Sequence, residues 1–313
     1  MTKILITGGA GFIGRHLADH LVSHGGYEVT VIDNESLGDR RHLDLEKVRF
    51  LPGDLVDRDD VRGALEGQDA VVHLAADTRV MDSIANPQHN FDNNVIGTFN
   101  LLELSRELGV SRIVAASTGG AIIGEVAPPV HEEMAPRPTS PYGASKLMLE
   151  GYLSAYSTSF GVSGCALRFS NIYGPRSFHK GSVVAHFFKQ ILAGEPLVVY
   201  GDGSQTRDYL YVGDLVEAIR VATDSDVEGP YQLGSGAPTS LNRLIDLMRD
   251  VTGRDLEVDY RDFRPGEVRD TWCQVDKAKR GFGYDPSTSL EDGLRATWAW
   301  FESQPSSSAD AAG

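Results

Sequence analysis

The sequence predicts an α/β fold built on a doubly wound parallel sheet, with a smaller C-terminal lobe. Three observations lead to this prediction. Short aliphatic runs alternate with stretches whose apolar residues recur at helical spacing, a glycine-rich turn joins the first run to the first helix, and the alternation stops after Tyr173. Because a helical crossover follows each predicted strand, the strands are expected to be parallel, with helices on both faces of the sheet.

The elements of the predicted sheet follow one another through the first part of the chain. The strands are Lys3–Thr7, Glu28–Asp33, Val48–Pro52, Ala70–Leu74, Arg112–Ser117 and Gly164–Phe169. The helices, whose apolar residues recur every three or four positions, are Phe12–Ser23, Asp59–Leu65, Asn94–Glu107 and Pro141–Phe160. Residues 1–173 are therefore expected to form the first domain.

The remainder of the chain is predicted to form a smaller lobe over the strand ends. Glycine- and proline-rich loops there separate the helices Val183–Ala193, Asp214–Ala222 and Leu241–Thr252 and the strand Leu197–Tyr200. We expect this lobe to span mainly residues 174–302, with parts of 205–235 returning to the first domain. Residues 303–313 are mostly small and polar without apolar periodicity, so a disordered tail is expected.

The composition argues against nucleic-acid and membrane partners. With 29 Lys+Arg against 44 Asp+Glu, the 313-residue chain carries a formal charge of −15, which repels phosphate backbones and anionic lipids. No apolar run approaches the roughly 20 residues that cross a bilayer, and the first residues do not resemble a signal peptide. Cys165 and Cys273 lie far apart and outside any metal-binding spacing, so reduced thiols are expected and no metal site. We therefore expect a cytoplasmic protein.

The first motif is the glycine-rich turn after the first strand. Gly8, Gly11 and Gly14 permit a tight turn and a close approach of the backbone to a pyrophosphate, which would lie on the free N–H groups of the following helix. Asp33 ends the second strand, where a carboxylate can accept both hydroxyls of an adenosine ribose and repel a 2′-phosphate. Together these residues favour NAD over NADP as a cofactor.

Tyr142 and Lys146 form a Y-x-x-x-K pair, which lies on one face of a predicted helix. A phenol with a pKa of ~10 is a poor base at neutral pH and needs a nearby cation to favour its phenolate. Lys146 is placed to supply that charge, and the positive nicotinamide of NAD⁺ would act in the same direction. The Tyr142 phenolate could then accept a hydroxyl proton while a hydride leaves the same carbon.

Polar residues also follow the fifth and third predicted strands. Ser117-Thr118 stands at the carboxyl edge of the sheet, where ligands bind in such folds. Because side chains alternate along a strand, only one of the two can face the cleft, and we choose Thr118 as the hydroxyl that binds the reacting oxygen. A turn residue is the alternative. Asp54 follows the third strand, where it could meet an adenine edge or cap a helix.

From Ile4 to about Phe301 the chain resembles the extended short-chain dehydrogenase/reductases, and within them the NAD-dependent nucleotide-sugar epimerases and dehydratases. The matching stretches are TGGAGFIG at 7–14, DN at 33–34, GDL at 53–55, HLAA at 73–76, DNNV at 92–95, STGGA at 117–121, SPYGASK at 140–146, LRFSNIYGPR at 167–176, GDGSQTRDYLYV at 201–212 and RPGE at 264–267. The resemblance implies a Rossmann-like fold, NAD as cofactor and a UDP-sugar as substrate. It also implies a homodimer, in which helices near Asn93–Leu108 and Pro141–Phe160 pack as a four-helix bundle.

The resemblance assigns roles to individual residues of this chain. Thr118, Tyr142 and Lys146 match the catalytic triad of the family. Asn171, Arg207 and Arg264 match positions that hold the diphosphate region of the sugar nucleotide. The positions implied at the cofactor, besides Tyr142 and Lys146, are Gly8, Gly11, Phe12, Ile13, Gly14, Asp33, Asn34, Asp54, Leu55, Leu74, Ala75, Ala76 and Asn93.

Further substrate contacts are expected from the second lobe. Arg207 could clamp a diphosphate bidentately, although a salt bridge with a neighbouring aspartate is the alternative. Tyr200 could flank a uracil ring or lie in the core of the lobe. Arg176, His179 and Lys180 bring basic or potentially basic side chains to the substrate entrance. They could support the diphosphate, accommodate a C6 carboxylate, or form a solvated loop.

The residues after Thr118 bear on the type of reaction. The 4,6-dehydratases of the family resemble one another in a Thr-Asp-Glu run, whose carboxyl groups serve elimination, and the related decarboxylases keep a Glu. Here the run is Thr118-Gly119-Gly120, so we predict 4-epimerisation of a UDP-hexose, either UDP-glucose or UDP-glucuronate. Hydride would leave C4 and return to the opposite face of a 4-keto sugar. The open alternatives are a 4-keto nucleotide-sugar reductase, another nucleotide-sugar dehydratase or decarboxylase, and an NAD-sensing scaffold.

The chain departs from the family pattern at two places near the sugar. It reads Ile122-Ile123-Gly124 where many relatives read Ile/Val-Tyr-Gly. Ser170 stands where some epimerases carry an aromatic residue. Both departures are expected to reshape the sugar pocket.

Overall fold

Seven parallel strands form the central sheet. The computed structural model describes residues 1–263 and 269–304. The strands are β1 (Thr2–Thr7), β2 (Tyr27–Asp33), β3 (Val48–Pro52), β4 (Ala70–His73), β5 (Arg112–Thr118), β6 (Ser163–Phe169), β7 (Asn171–Tyr173), β8 (Leu197–Tyr200), β9 (Thr206–Arg207), β10 (Tyr209–Tyr211), β11 (Gly229–Leu233), β12 (Thr239–Ser240) and β13 (Val258–Arg261). The order in the central sheet is β11-β6-β5-β4-β1-β2-β3, which confirms the predicted doubly wound α/β class.

Helices cover both faces of the sheet. They are α1 (Phe12–His24), α2 (Arg58–Leu65), α3 (Val80–Ala85), α4 (Pro87–Asn90), α5 (Gly97–Leu108), α6 (Gly119–Ile123), α7 (Pro141–Phe160), α8 (Val183–Ala193), α9 (Val212–Thr223), α10 (Leu241–Thr252), α11 (Asp276–Phe282) and α12 (Leu290–Glu302). Side chains alternate along β1 and so contribute to two cores. Ile4 and Ile6 belong to one cluster with Leu17 of α1, whereas Leu5 belongs to another with Leu101 of α5.

The second lobe has a core of its own. Strands β8 and β13 pair in parallel, and β9 pairs with β12 antiparallel. Helices α8, α10 and α12 enclose a cluster that includes Phe187, Leu244, Leu294, Trp298 and Phe301. The sequence analysis predicted no helix at α12, although three of these residues, Leu294, Trp298 and Phe301, follow helical spacing along it.

One segment beyond residue 173 returns to the central sheet. Strand β11 pairs with β6 as the seventh strand, and α9 packs against α1. Sequence analysis predicted only six strands, because β11 begins with Gly229-Pro230, residues that weaken a strand signal. Its position at the edge of the sheet tolerates the proline, which lacks a backbone N–H.

The start of one helix differs from the prediction. The helix expected from Asn94 begins instead with a π-helical turn, Phe91–Ile96, and α5 continues from Gly97. Among the residues that the structure describes, no helix is both long and apolar enough to span a bilayer.

Candidate active site

The glycine turn forms a backbone cradle at the N-terminus of α1. Gly8 has a φ of +67°, and a side-chain carbon there would lie 2.7 Å from the Ala75 backbone nitrogen. A side-chain carbon at Gly14 would overlap the Gly9 Cα atom. Gly11 provides no side-chain cap, and the first turn of α1 contains no acidic residue. The backbone N–H groups at this helix end can therefore bind an anion such as a pyrophosphate.

Asp33 connects the end of β2 to this turn. Its Oδ2 atom accepts a hydrogen bond from the Ala10 N–H at 3.0 Å, and its Oδ1 atom accepts one from the Glu35 N–H at 2.7 Å. Burial raises the pKa of Asp33, and the two backbone donors oppose that shift. Asn34 is exposed and donates to the Asp54 carboxylate at 2.9 Å. The predicted ribose and adenine positions therefore lie together beyond β2 and β3.

A buried asparagine that the sequence analysis did not select joins the cofactor side to α7. Asn94 accepts a hydrogen bond from the Asp77 N–H at 2.7 Å and donates to Ser145 of α7 at 3.2 Å. The adjacent Asn93, which was selected, donates to the His89 carbonyl at 2.9 Å. The other predicted cofactor positions are buried or partly buried, and they are Phe12, Ile13, Leu55, Leu74, Ala75 and Ala76.

Helix α7 holds Tyr142 and Lys146 one turn apart on the same face. The helix has Ser140 as its N-cap, whose Oγ atom accepts a hydrogen bond from the Gly143 N–H at 3.1 Å. A side-chain carbon at Gly143 would overlap the Ala121 carbonyl oxygen. A glycine directly after Tyr142 therefore allows α7 to pack closely against α6, which follows the end of β5.

The ionisation of the Tyr142–Lys146 pair differs from the expectation. Lys146 Nζ donates to the Ala116 carbonyl of β5 at 2.9 Å. Burial lowers the pKa of Lys146 to about 8, and Glu150 partly opposes that shift. Burial and the charge of Asp77 raise the pKa of Tyr142 to about 12. In the protein alone, burial and Asp77 therefore hold the pKa of Tyr142 above its ordinary value.

Ser117 and Thr118 have different surroundings at the end of β5. The Ser117 hydroxyl is buried and donates to Glu150 Oε1 at 2.6 Å. Arg168 of β6 donates hydrogen bonds of 2.8 and 2.7 Å to the same carboxylate. The Arg168 side chain is 4% exposed and the Glu150 side chain 8% exposed. Thr118 instead lines a pocket of about 160 Å³. The structure therefore places Thr118 at the cavity and turns Ser117 to the other side of the strand.

The side chains of two predicted substrate-binding residues, Asn171 and Arg207, donate hydrogen bonds to backbone carbonyl oxygens. Asn171 lines the same pocket, and its Nδ2 atom donates to the Asp208 carbonyl at 3.1 Å. Arg207 donates from Nη1 to the Thr206 and Arg269 carbonyl oxygens at 2.9 and 2.8 Å. These bonds orient the guanidinium group of Arg207 where β9 meets the loop before β10.

The predicted base-binding position, Tyr200, ends β8. Its side chain is partly buried, whereas the preceding Val199 lies fully in the core of the lobe. A shallow pocket of about 550 Å³ opens beyond Tyr200, lined by Gly201, Asp202, Tyr260, Arg261, Asp262 and Phe263. Arg264 lies outside the described residues.

The basic loop after β7 packs on α1. Arg176 forms an ion pair with Asp19 of α1 at 2.6 Å. The Lys180 ammonium lies 4.4 Å from the centre of the Phe12 ring, and burial lowers the pKa of Lys180 to about 8. Partial burial and neighbouring cations lower the pKa of His179 to about 4, so this ring is neutral at pH 7. In the protein alone Arg176 is therefore paired with Asp19 and His179 adds no charge, and a contact of this loop with substrate stays a prediction.

Comparisons with known proteins agree with this geometry. The profile of the NAD dependent epimerase/dehydratase family matches residues 4–234. A UDP-glucose 4-epimerase of Thermotoga maritima, solved with UDP-glucose, is 38% identical with a TM-score of 0.91, over 96% of this chain and 99% of that one. A UDP-glucose 4-epimerase of Thermus thermophilus, solved with NAD, is 37% identical with a TM-score of 0.89, over 96% and 99%. A UDP-glucuronate 4-epimerase of Thermodesulfobacterium geofontis is 31% identical over 96% of each chain.

Proposed function

Because the chain belongs to the NAD-dependent epimerase/dehydratase family, we propose that it is a 4-epimerase of a UDP-hexose, with NAD as its cofactor. One observation carries the proposal. Lys146 Nζ donates to the backbone of β5 two residues before Thr118, and Tyr142 lies one helical turn from Lys146, which supports a catalytic group formed by these three residues. The two residues after Thr118 are glycines, and they offer no acid or base for an elimination.

The residues of this chain fit an NAD molecule. Gly8 and Gly14 allow the turn to pack closely against Ala75 and Gly9, and the N-terminus of α1, where a pyrophosphate would lie, has no acidic side chain. The Asp33 carboxylate at the end of β2 suits an adenosine ribose and would repel a 2′-phosphate. Bound NAD supplies a hydride acceptor, which the side chains of a protein cannot provide.

In the proposed mechanism, Tyr142 is the base that takes the proton from O4 of the sugar. Lys146 stabilises the phenolate form of Tyr142 by its positive charge. Thr118 forms a hydrogen bond with the same sugar oxygen. Asn171 and Arg207 hold the diphosphate while the 4-keto sugar turns its other face to the cofactor. The proton and the hydride both return to the sugar, so the reaction has no net redox change.

Proton NMR tests the proposed function. With NAD far below the substrate concentration, we expect the protein to convert UDP-glucose into its galacto epimer until both anomeric signals reach constant intensities. Starting from UDP-galactose should give the same final ratio. Stoichiometric consumption of NADH would instead identify a reductase, and no conversion of any UDP-hexose would overturn the proposal.

We also propose a homodimer formed through α5 and α7. Both helices present large apolar side chains to solvent, since Phe99 is 37%, Tyr152 41% and Phe160 54% exposed. The Phe99 and Tyr152 ring centroids are 5.9 Å apart, so α5 and α7 contribute to one continuous patch. Exposed apolar patches of this kind mark interfaces, and pairing two helices with their copies builds a four-helix bundle.

Light scattering at micromolar concentration tests the dimer. The wild-type protein is expected at twice the chain mass of 33.9 kDa. Phe99→Arg is expected to give a monomer, because a two-fold interface carries each change twice. Leu45→Arg is the matched control, since Leu45 is 52% exposed but lies outside the patch. A monomeric wild type would contradict the proposal.

We further propose a cytoplasmic location. Cys165 and Cys273 are free thiols, and both are buried. Free thiols are typical of a reducing compartment.

A further inference from the structure

The pocket beside Thr118 contains two polar atoms without hydrogen-bond partners. These are Ser170 Oγ and Gln232 Nε2, both shielded from solvent and neither bonded to any of the described residues. Gln232 as a whole is only 1% exposed. A buried polar atom without a partner is unfavourable, so a ligand with its own polar group is expected to complete this pocket.

Gln232 reaches the pocket because the residue after Thr118 has no side chain. A side-chain carbon at Gly119 would overlap Gln232 Oε1. The Gln232 N–H donates to the Glu132 carboxylate at 2.7 Å, and this bond helps hold β11 in place. The amide of Gln232 therefore fills the space that a larger residue at position 119 would need.

None of the described residues that line the pocket carries a positive charge. Among the described residues that line it, Asp208 is the only one with a formal charge. This carboxylate is buried and accepts hydrogen bonds from Ser235, Gly236 and Cys273. A ligand carboxylate in the pocket would be repelled by the Asp208 carboxylate, because buried surroundings screen the repulsion between two negative charges only weakly.

The neighbouring basic loop, with Arg176 and Lys180, is not among the described residues that line the pocket and adds no positive charge to its lining. Arg176 is paired with Asp19, and the Lys180 ammonium lies over the Phe12 ring. Both side chains thus contact α1, Lys180 at its first residue and Arg176 about two turns further along.

We propose, on the premise of the 4-epimerase function, that this pocket holds the neutral hydroxymethyl group at C6 of the hexose. Ser170 and Gln232 are its specificity-determining residues. Thr118 and Tyr142 act at C4, whose flanking groups are O3 and the hydroxymethyl group on C5. Only the hydroxymethyl oxygen stands on a carbon outside the ring, which lets it extend into an enclosed pocket and bind both side chains. Asp208 disfavours a carboxylate at the same position.

The first test compares two substrates of the wild-type protein. We expect kcat/KM for UDP-glucose to exceed that for UDP-glucuronate by about 100-fold or more, because the uronate brings a like charge to Asp208. Equal turnover, or a preference for the uronate, would overturn this inference but leave the 4-epimerase function intact. No turnover of any UDP-hexose would overturn the function itself.

The second test removes each partner of the proposed contact. Gln232→Leu and Ser170→Ala are each expected to lower kcat/KM for UDP-glucose about 10-fold. UDP-6-deoxyglucose lacks the C6 oxygen, so neither contact can form on it, and both variants should turn it over with the same kcat/KM as the wild type. UDP-3-deoxyglucose is the control, on which both variants should keep their 10-fold loss. The assignment would be overturned if the variants kept their 10-fold loss against the wild type on the 6-deoxy substrate. It would also be overturned if that loss disappeared on the 3-deoxy substrate.

Discussion

Replacing Tyr142 by phenylalanine is expected to lower kcat about 100- to 10,000-fold, because the change removes the proposed base and leaves its ring in place. The Tyr142 backbone N–H donates to Ser83 Oγ at 3.2 Å, and this bond does not depend on the phenol. The start of α7 should therefore keep its position. NAD affinity, measured by calorimetry, is expected to change little while turnover measured by NMR collapses.

The pH dependence distinguishes a base from a structural residue. The active form needs Tyr142 without its proton and Lys146 with one. With pKa values of about 8 for Lys146 and about 12 for Tyr142, the population of this form, and with it the activity, should rise with pH up to about 8, stay level above that pH and fall only above about 12. The residual activity of Tyr142→Phe should lack the acid limb. Tyr152→Phe on the same helix is the matched control, and turnover of Tyr142→Phe within a few-fold of it would exclude this mechanism.

Breaking the buried ion pair between Glu150 of α7 and Arg168 of β6 is expected to have the largest effect on stability. Glu150→Met should lower the free energy of unfolding by about 3–5 kcal/mol, because it leaves the Arg168 guanidinium buried without a carboxylate. The Ser117 hydroxyl loses its acceptor in the same step. Urea denaturation followed by circular dichroism, at one fixed protein concentration, measures this loss.

A double variant distinguishes the loss of the ion pair from the loss of packing around it. Glu150→Met with Arg168→Met should recover most of the lost stability, since apolar groups of similar volume can replace a buried ion pair. Arg295→Met, which breaks the exposed pair with Glu291, should leave the urea midpoint unchanged. A single Glu150→Met variant as stable as this control would contradict the prediction.

Much of the fold was predictable because its signals lie between near neighbours in the chain. The bounds predicted for Val48–Pro52 and Pro141–Phe160 agree with β3 and α7 of the structure. Glycine spacing predicted the turn between β1 and α1, and one helical turn set Tyr142 and Lys146 on the same face. Strand alternation indicated that only one of Ser117 and Thr118 faces the cleft, and the structure places Thr118 at the pocket.

The remaining features depend on residues far apart in the chain. Arg176 meets Asp19 across 157 positions, and no pattern around either residue predicts that ion pair. Gln232 enters the pocket only because β11 joins the sheet beside β6 and Gly119 leaves room for its amide. The pKa of Tyr142 follows from burial and Asp77, which the Y-x-x-x-K motif does not contain.

The α/β class, the order of most elements, the glycine turn and the Tyr142–Lys146 pair on α7 all follow from the amino-acid sequence alone. Backbone propensity, apolar periodicity and turn chemistry act over a few neighbouring residues, so they can be recognised without a structure. The seventh strand, the partners of the basic loop and the polar lining of the pocket beside Thr118 follow only from the folded chain. These features arise from packing, because burial and electrostatic neighbours exist only once distant segments meet.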